Sequence, residues 1–302
     1  MRSEKDINSI IEFLAYYSAR TWIELKKVHQ GYFKIYETTI TQNLIKDFVV
    51  HSEYLELPIY MFESRNEKAN GNDLEIFVET VNGFLFIPTQ AKVIKGTQYP
   101  TISHNTSGKP QIEMLIDYAR KLRGIPAYLF YNYFDDFTFQ EYTDSVLPGY
   151  KDLHFGCTIG CAFQIYDDFY YKSGQRKWKI PTFNDLHLPM NYAFPIFYAF
   201  WRLIMGNIQD VSWFVNEKDG LIQNIRFYRF KELVNNENWK PFWKPGRISG
   251  ISDSLPQMGD PFETALKQLP EIISHVSTPE AFAPMYRIII CRERKYRVYN
   301  IN

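Results

Sequence analysis

Residues 73–94 read DLEIFVETVNGFLFIPTQAKVI, and this stretch decides the fold. Up to Val81 the apolar residues Leu74, Ile76 and Val78 alternate with Asp73, Glu75, Phe77 and Glu79, the period of two that a strand imposes. Asn82-Gly83 follows as a two-residue turn of the kind that joins antiparallel neighbours. From Phe84 to Ile94 the chain runs back as a second strand. Gln90 and Lys92 share one face of it while Ala91 points the other way, and Asp73 and Glu75 share a face by the same rule. Pairing the two strands therefore gathers an acid, a polar acceptor and an amine on one side of a sheet. Pro88 in the returning strand predicts an edge position or a bulge.

On the N-terminal side, Ile7, Ile10, Ile11, Leu14, Tyr17, Trp22, Leu25 and Val28 fall at the spacing of one helix face. Gly31 interrupts that helix. Thr38, Thr39 and Thr41 offer N-caps for a second helix carrying Ile40, Leu44, Ile45 and Phe48, with Glu37 at its entrance. Leu57 to Phe62 reads as a strand, and the polar run Glu63 to Asn72 separates it from the hairpin. On the C-terminal side, a polar loop from Gly96 to Pro110 leads into a helix over Gln111 to Arg123, which Gly124 ends. Ile125 to Tyr131 is a buried strand. The order is helix, strand, strand, strand, helix, strand: a mixed α/β chain. Beyond Asn132 the pattern loosens, with helices expected over Asn191 to Met205 and Pro261 to Ser274. A boundary near residue 145 divides the chain into a first domain, 1–145, and an accessory region, 146–302, whose continuity with the first is left open.

With 302 residues, 45% of them hydrophobic, the chain is long enough for two modest domains or one large one. Its 34 basic and 34 acidic residues cancel, so no overall positive field draws in nucleic acid, and any basic groove must be local. The opening residues MRSEKDINSI hold no apolar targeting core, and the longest apolar run, Ala193 to Trp201, is far below the roughly 20 residues of a bilayer span. A soluble, cytoplasmic protein without a membrane partner is expected. Cys157, Cys161 and Cys291 are too few for a disulfide framework. Cys157 and Cys161 with His154 fall short of the four ligands of structural zinc, which favours plain buried thiols.

The residues of the hairpin suit metal-assisted phosphodiester hydrolysis. Asp73 would bind Mg²⁺ or Mn²⁺, hard cations that prefer oxygen. The Gln90 side-chain oxygen and the Ala91 carbonyl would complete the protein's share of the shell, and Lys92 would orient the attacking water or neutralise charge on the phosphoryl oxygens. Glu75 and Glu37 are further candidate acids, Glu75 for the metal. Gln111 is a candidate for touching the substrate phosphate or orienting Lys92, and Lys109 and His104 lie in a loop suited to approach a phosphate backbone. The plainer alternatives are that a strand's polar face is simply solvated and that Glu37 is an N-terminal helix acid favoured by the dipole. The combination raises the functional reading: Asp73, then 16 residues, then Gln90-Ala91-Lys92, within that order of elements.

This arrangement resembles the PD-(D/E)xK restriction-endonuclease-like fold in its variant with glutamine at the second acidic position. More closely, Glu37-Thr38-Thr39-Ile40-Thr41, Gly71-Asn72-Asp73-Leu74-Glu75, Gln90-Ala91-Lys92, Tyr99-Pro100, Gln111 and Ile125 to Asn132 resemble a bacterial domain family of unknown function within that superfamily. Phe155-Gly156-Cys157 continues the resemblance, which covers roughly residues 10–165. It implies a metal-dependent nuclease of restriction, repair or antiphage-defence type, acting on DNA or RNA and often dimeric. Gln90 departs from the acid that many members carry, which weakens metal binding. The competing expectation is a non-catalytic sensor or scaffold that keeps the fold and holds a partner protein encoded elsewhere. In the accessory region Trp213, Trp239 and Trp243, with Arg226, Arg229, Lys231, Lys240 and Lys244, suit either a packed core or stacking on nucleic acid.

Overall fold

The structure is a computed structural model that describes residues 2–55, 57–64, 74–106, 108–135, 152–172, 175–188, 192–206, 211, 213–215, 224–234, 239–243 and 286–292. The chain starts with two helices, α1 (Arg2–His29) and α2 (Glu37–Leu55). The apolar stripe of α1 is buried from Ile7 to Leu25. Tyr17 Oη donates to the Ile40 carbonyl at 2.8 Å, which fixes α1 against α2. The threonines expected to cap α2 lie inside it, because the helix begins one residue earlier at Glu37. Thr41 Oγ1 donates back to the Glu37 carbonyl and meets Tyr131 Oη at 2.9 Å, tying α2 to the sheet.

The strands β1 (Ile59–Ser64), β2 (Leu74–Thr80) and β3 (Gly83–Val93) follow. After α3 (Gln111–Leu122) come β4 (Ala127–Tyr131), β5 (Cys157–Cys161), β6 (Ala193–Pro195) and the helix α4 (Ile196–Met205). The short strands β7 (Phe227–Tyr228) and β8 (Trp239–Trp243) and finally β9 (Tyr286–Ile290) complete the series. Together they form one mixed sheet in the order β6-β5-β4-β3-β2-β9-β1-β8, with β7 paired to the start of β3. The chain is thus a mixed α/β protein. Among the described residues no helix is long and apolar enough to cross a membrane.

The β2–β3 hairpin forms, but with its register moved by two residues from that of a turn on Asn82-Gly83: Leu74 lies opposite Thr89 and Thr80 opposite Gly83. Its turn sits one residue early, on Val81-Asn82, and Gly83 opens β3 with φ +123°. Its missing Cβ also matters, since one would come within 3.0 Å of the Tyr228 carbonyl oxygen. Pro88 produces no register shift, and β3 is a central strand. It is tolerated because it falls between the stretches of β3 that pair with β7 and with β4, where an outward N–H would have no ladder partner.

Three further differences have local causes. The helix expected from Asn191 starts at Ile196, since Ala193–Pro195 pair with β5 instead. The turn that ends α3 is taken by Arg123 in the left-handed region, φ 56°. Gly124 is needed for space, because a Cβ there would lie 2.5 Å from the Phe86 ring. The helix expected over Pro261 to Ser274 lies outside the described residues.

The largest departure is β9. It inserts between β1 and β2, parallel to β2 with Arg287 beside Glu75, and antiparallel to β1. The hairpin therefore neighbours a strand from near residue 290 rather than β1. One face of the sheet, with Leu74, Ile76, Val78, Leu85, Ile87, Ala91 and Val93, belongs to the main core that includes α1, α2 and α4. On the other face Phe77, Phe84 and Phe86 cluster with Phe230, Leu233 and Trp239, and Tyr118 and Leu122 of α3 pack against them.

Candidate functional site

Alternation along β3 sets Gln90 and Lys92 on the α3 side of the sheet, together with their β4 partners Tyr128 and Phe130. Both are buried, Gln90 at 0% and Lys92 at 1% exposure. Lys92 Nζ donates to Gln111 Oε1 at 3.1 Å, and Gln111 Nε2 donates to Thr106 Oγ1 at 3.1 Å. That chain of bonds fixes the Gln111 amide, oxygen toward the ammonium and nitrogen toward the threonine. Gln111 is thereby placed to orient Lys92. A buried ammonium costs several kcal/mol (of order) unless hydrogen bonds and charge compensate it. Its field reaches His104, whose imidazole is pulled below its ordinary range first by burial and then by Lys92 and Lys95.

Glu37 arrives at the end of β3 from the other side. Its Oε2 accepts from the backbone N–H of Val93 at 3.1 Å, and Thr101 Oγ1 stands 3.5 Å away. The helix entrance is thus fastened to the residue after Lys92, and the same contact holds the loop that carries Thr101. Lys109 is exposed and directly precedes Pro110 and Gln111 in the hairpin Asn105–Thr106/Lys109–Pro110.

Glu75 is engaged elsewhere. It is 1% exposed, and Arg287 Nε and Nη2 donate to its Oε2 at 2.8 and 2.6 Å. Tyr118 Oη donates to Oε1, and burial beside that carboxylate pushes the phenol well above its ordinary pKa. Arg287 is itself enclosed, with Nη1 on the Leu233 carbonyl at 2.9 Å and its guanidinium 4.3 Å from the Trp239 ring centroid. Gln111 and Tyr118 are seven residues apart, so they lie two turns along one stripe of α3 and anchor it to β3 and β2 respectively. Neither Arg287 nor Tyr118 stood out in the sequence. The only signal for Tyr118 was its helical phase with Gln111.

Asp73 directly precedes Leu74, the first residue of β2, and lies outside the described residues. Mg²⁺ and Mn²⁺ gather several oxygens, usually with carboxylates among them. Among the described residues no group of three or more His, Cys, Asp or Glu is placed to hold a metal. Gln90 offers one neutral side-chain oxygen, and the Glu75 oxygens accept from Arg287 and Tyr118. The described residues alone fall short of a cation shell, so the fit turns on Asp73. Cys157 and Cys161 form no disulfide and are buried four residues apart on one strand, about 13 Å, too far to share an ion.

A second polar cluster lies where β4 ends. Tyr99 Oη donates to Asn132 Oδ1 at 2.6 Å, and Asn132 Nδ2 donates to the Phe155 carbonyl at 2.7 Å and to Thr158 Oγ1 at 3.0 Å. His187 completes it, with Nε2 2.8 Å from Thr158 Oγ1 and Nδ1 2.8 Å from the Phe183 carbonyl. Tyr99, Asn132 and Phe155, quoted above for the resemblance, therefore meet as a structural hub. It anchors the loop whose Thr101 contacts Glu37.

The sequence profile of a family of unknown function (DUF6615) matches residues 10–196. No curated protein and no solved structure matches the chain.

Proposed function

The chain belongs to this DUF6615 family, which brings no activity with it, and we propose from the residues themselves that it is a divalent-metal-dependent nuclease with a PD-(D/E)xK-like core. The observation that carries this reading is the buried Lys92 ammonium, held by Gln111 and two residues along the same strand face from Gln90. An oriented ammonium in a low-dielectric setting is the group that stabilises charge building on a phosphoryl oxygen. The α2–β1–β2–β3–α3–β4 order supports the same core.

In this proposal Asp73 and Gln90 would hold Mg²⁺ or Mn²⁺, which when bound supplies an acidified water and a Lewis acid for the phosphate. Lys92 faces the phosphoryl oxygens, Gln111 keeps it aimed, and Glu37 holds the end of β3 through Val93. Glu75 acts as the anion of a structural ion pair with Arg287, outside the metal shell. DNA is the proposed substrate, in defence against phage or plasmid; RNA is separated from it by the assay below.

A second reading has its own support. Complete burial of Gln90 and Lys92 suits a non-catalytic sensor or scaffold that retains the fold and binds a partner protein. Cleavage of single-stranded DNA, duplex DNA and RNA with Mg²⁺ or Mn²⁺ distinguishes the two, with Asp73→Ala and Lys92→Ala as controls at matched folding. Metal-dependent cleavage lost in both variants supports the nuclease. Silence on every substrate together with no Mn²⁺ binding by calorimetry supports the scaffold, and cleavage that survives both substitutions refutes the site.

A further inference from the structure

The hairpin that feeds α3 faces Tyr170, Arg176 and Trp178 across a cleft of about 540 Å³. It lies next to the site in sequence, because Lys109 and Pro110 in its wall directly precede Gln111, which holds Lys92. The aromatic side is built by two backbone bonds, Lys177 N–H to the Tyr170 carbonyl at 3.0 Å and Lys179 N–H to the Phe169 carbonyl at 2.7 Å. They bring the Tyr170 and Trp178 rings to 5.0 Å between centroids. The polar side carries Lys109, Arg176, Asn105 and Glu113. Arg176 Nη1 stands 3.6 Å from Glu113 Oε1 while its side chain stays 65% exposed, which leaves most of its donors to solvent.

We propose that this cleft receives one unpaired nucleotide of a nucleic-acid strand, its base against the Tyr170–Trp178 wall and its phosphodiester between Lys109 and Arg176. Three properties select that ligand. The volume lies within the roughly 300–1,000 Å³ of small-ligand sites, enough for a nucleotide unit and too little for a duplex. Two cations against one carboxylate leave a single positive charge, which matches an internal phosphodiester better than the several charges of a free nucleotide polyphosphate. The Tyr170 and Trp178 rings, 5.0 Å apart between centroids, stand beside those cations, and every base has a π-face to lay against such a wall. Aromatic walls beside cations bind single strands with little sequence preference, and a paired base must leave its stack to enter.

The inference rests on the nuclease reading only for the direction in which the strand runs, toward Lys92. It is tested with the full chain in EDTA by anisotropy of a labelled oligothymidylate, the same strand annealed to oligoadenylate, and an abasic strand of equal charge. The single strand is expected to bind at least about tenfold tighter than the duplex and about fivefold tighter than the abasic strand, in line with ring–base stacking. Lys109→Ala and Arg176→Ala, both at exposed positions, should each weaken it several-fold and lower the salt slope by about 0.7. Equal binding of single strand and duplex, equal binding of the abasic strand, or indifference to both substitutions overturns the proposal. Single-strand preference without any cleavage leaves the cleft standing and removes the nuclease. Lys92-dependent cleavage without that preference does the reverse.

Discussion

Arg287 and Glu75, 212 residues apart in sequence, form a buried ion pair in which two guanidinium nitrogens converge on one carboxylate oxygen at 2.8 and 2.6 Å. They sit side by side on parallel neighbours β9 and β2. Removing either partner strands a buried charge, which costs about 3–5 kcal/mol. Glu75→Ala and Arg287→Ala should therefore each lower the urea midpoint sharply. The double variant should recover part of the loss, and a strictly additive cycle would show that the pair is not coupled.

Lys92→Met separates chemistry from architecture. Methionine fills similar volume without the ammonium, and the unmatched Gln111 oxygen costs about 1–3 kcal/mol. Stability by denaturant titration should stay within about 3 kcal/mol of wild type. Cleavage should fall at least about a hundredfold, the scale of removing one oriented charge from a reacting phosphate. Collapse of the fold would identify the ammonium as structural.

His187 gives a pH dependence of stability. Burial pulls its imidazole down to about 4, from an ordinary value of 6.5. Its Nδ1–H donates to the Phe183 carbonyl and Nε2 accepts from Thr158, a neutral tautomer. Between those two values the unfolded chain binds a proton that the folded chain refuses. The contribution is complete above about pH 6.5 and is lost as pH falls toward 4, about 3 kcal/mol at roughly 1.4 per unit. Urea midpoints across that range should show it, and His187→Gln should flatten the slope.

Gly156 should not tolerate a methyl group. An added Cβ would stand 2.0 Å from the Ser18 carbonyl oxygen and 2.5 Å from the Trp22 nitrogen, both backbone atoms of α1. Gly156→Ala should cost more than about 2 kcal/mol by forcing α1 off the sheet. A melting temperature equal to wild type would contradict the packing.

The existence of the hairpin was legible because its information is local: alternation from Leu74 to Val78 and turn residues at Asn82-Gly83 announce two antiparallel neighbours, although the turn itself settles on Val81-Asn82. The helical stripes of α1 and α3 were legible for the same reason. Period two places Gln90 and Lys92 on one face, yet it says nothing about what covers that face, so their burial under α3 was not readable. The position of Ile288, Ile289 and Ile290 was hidden as well. A short apolar run has no local mark that sends it between two strands more than 200 residues earlier, and parallel pairing needs no turn to announce it. Arg287 stayed invisible with them, and with it the reason that Glu75 is held away from a metal role in our proposal.

The position of β9 also sets a schedule. During synthesis the slot between β1 and β2 waits for residues 286–290 to leave the ribosome, more than 200 residues after β2. Until then Glu75 is a carboxylate without its guanidinium, and the edge of β2 has no neighbour on that side. A product halted before Arg287 is thus denied the ion pair that steadies the strand following Asp73. In the proposed nuclease, competence would then come only once β9 is in place.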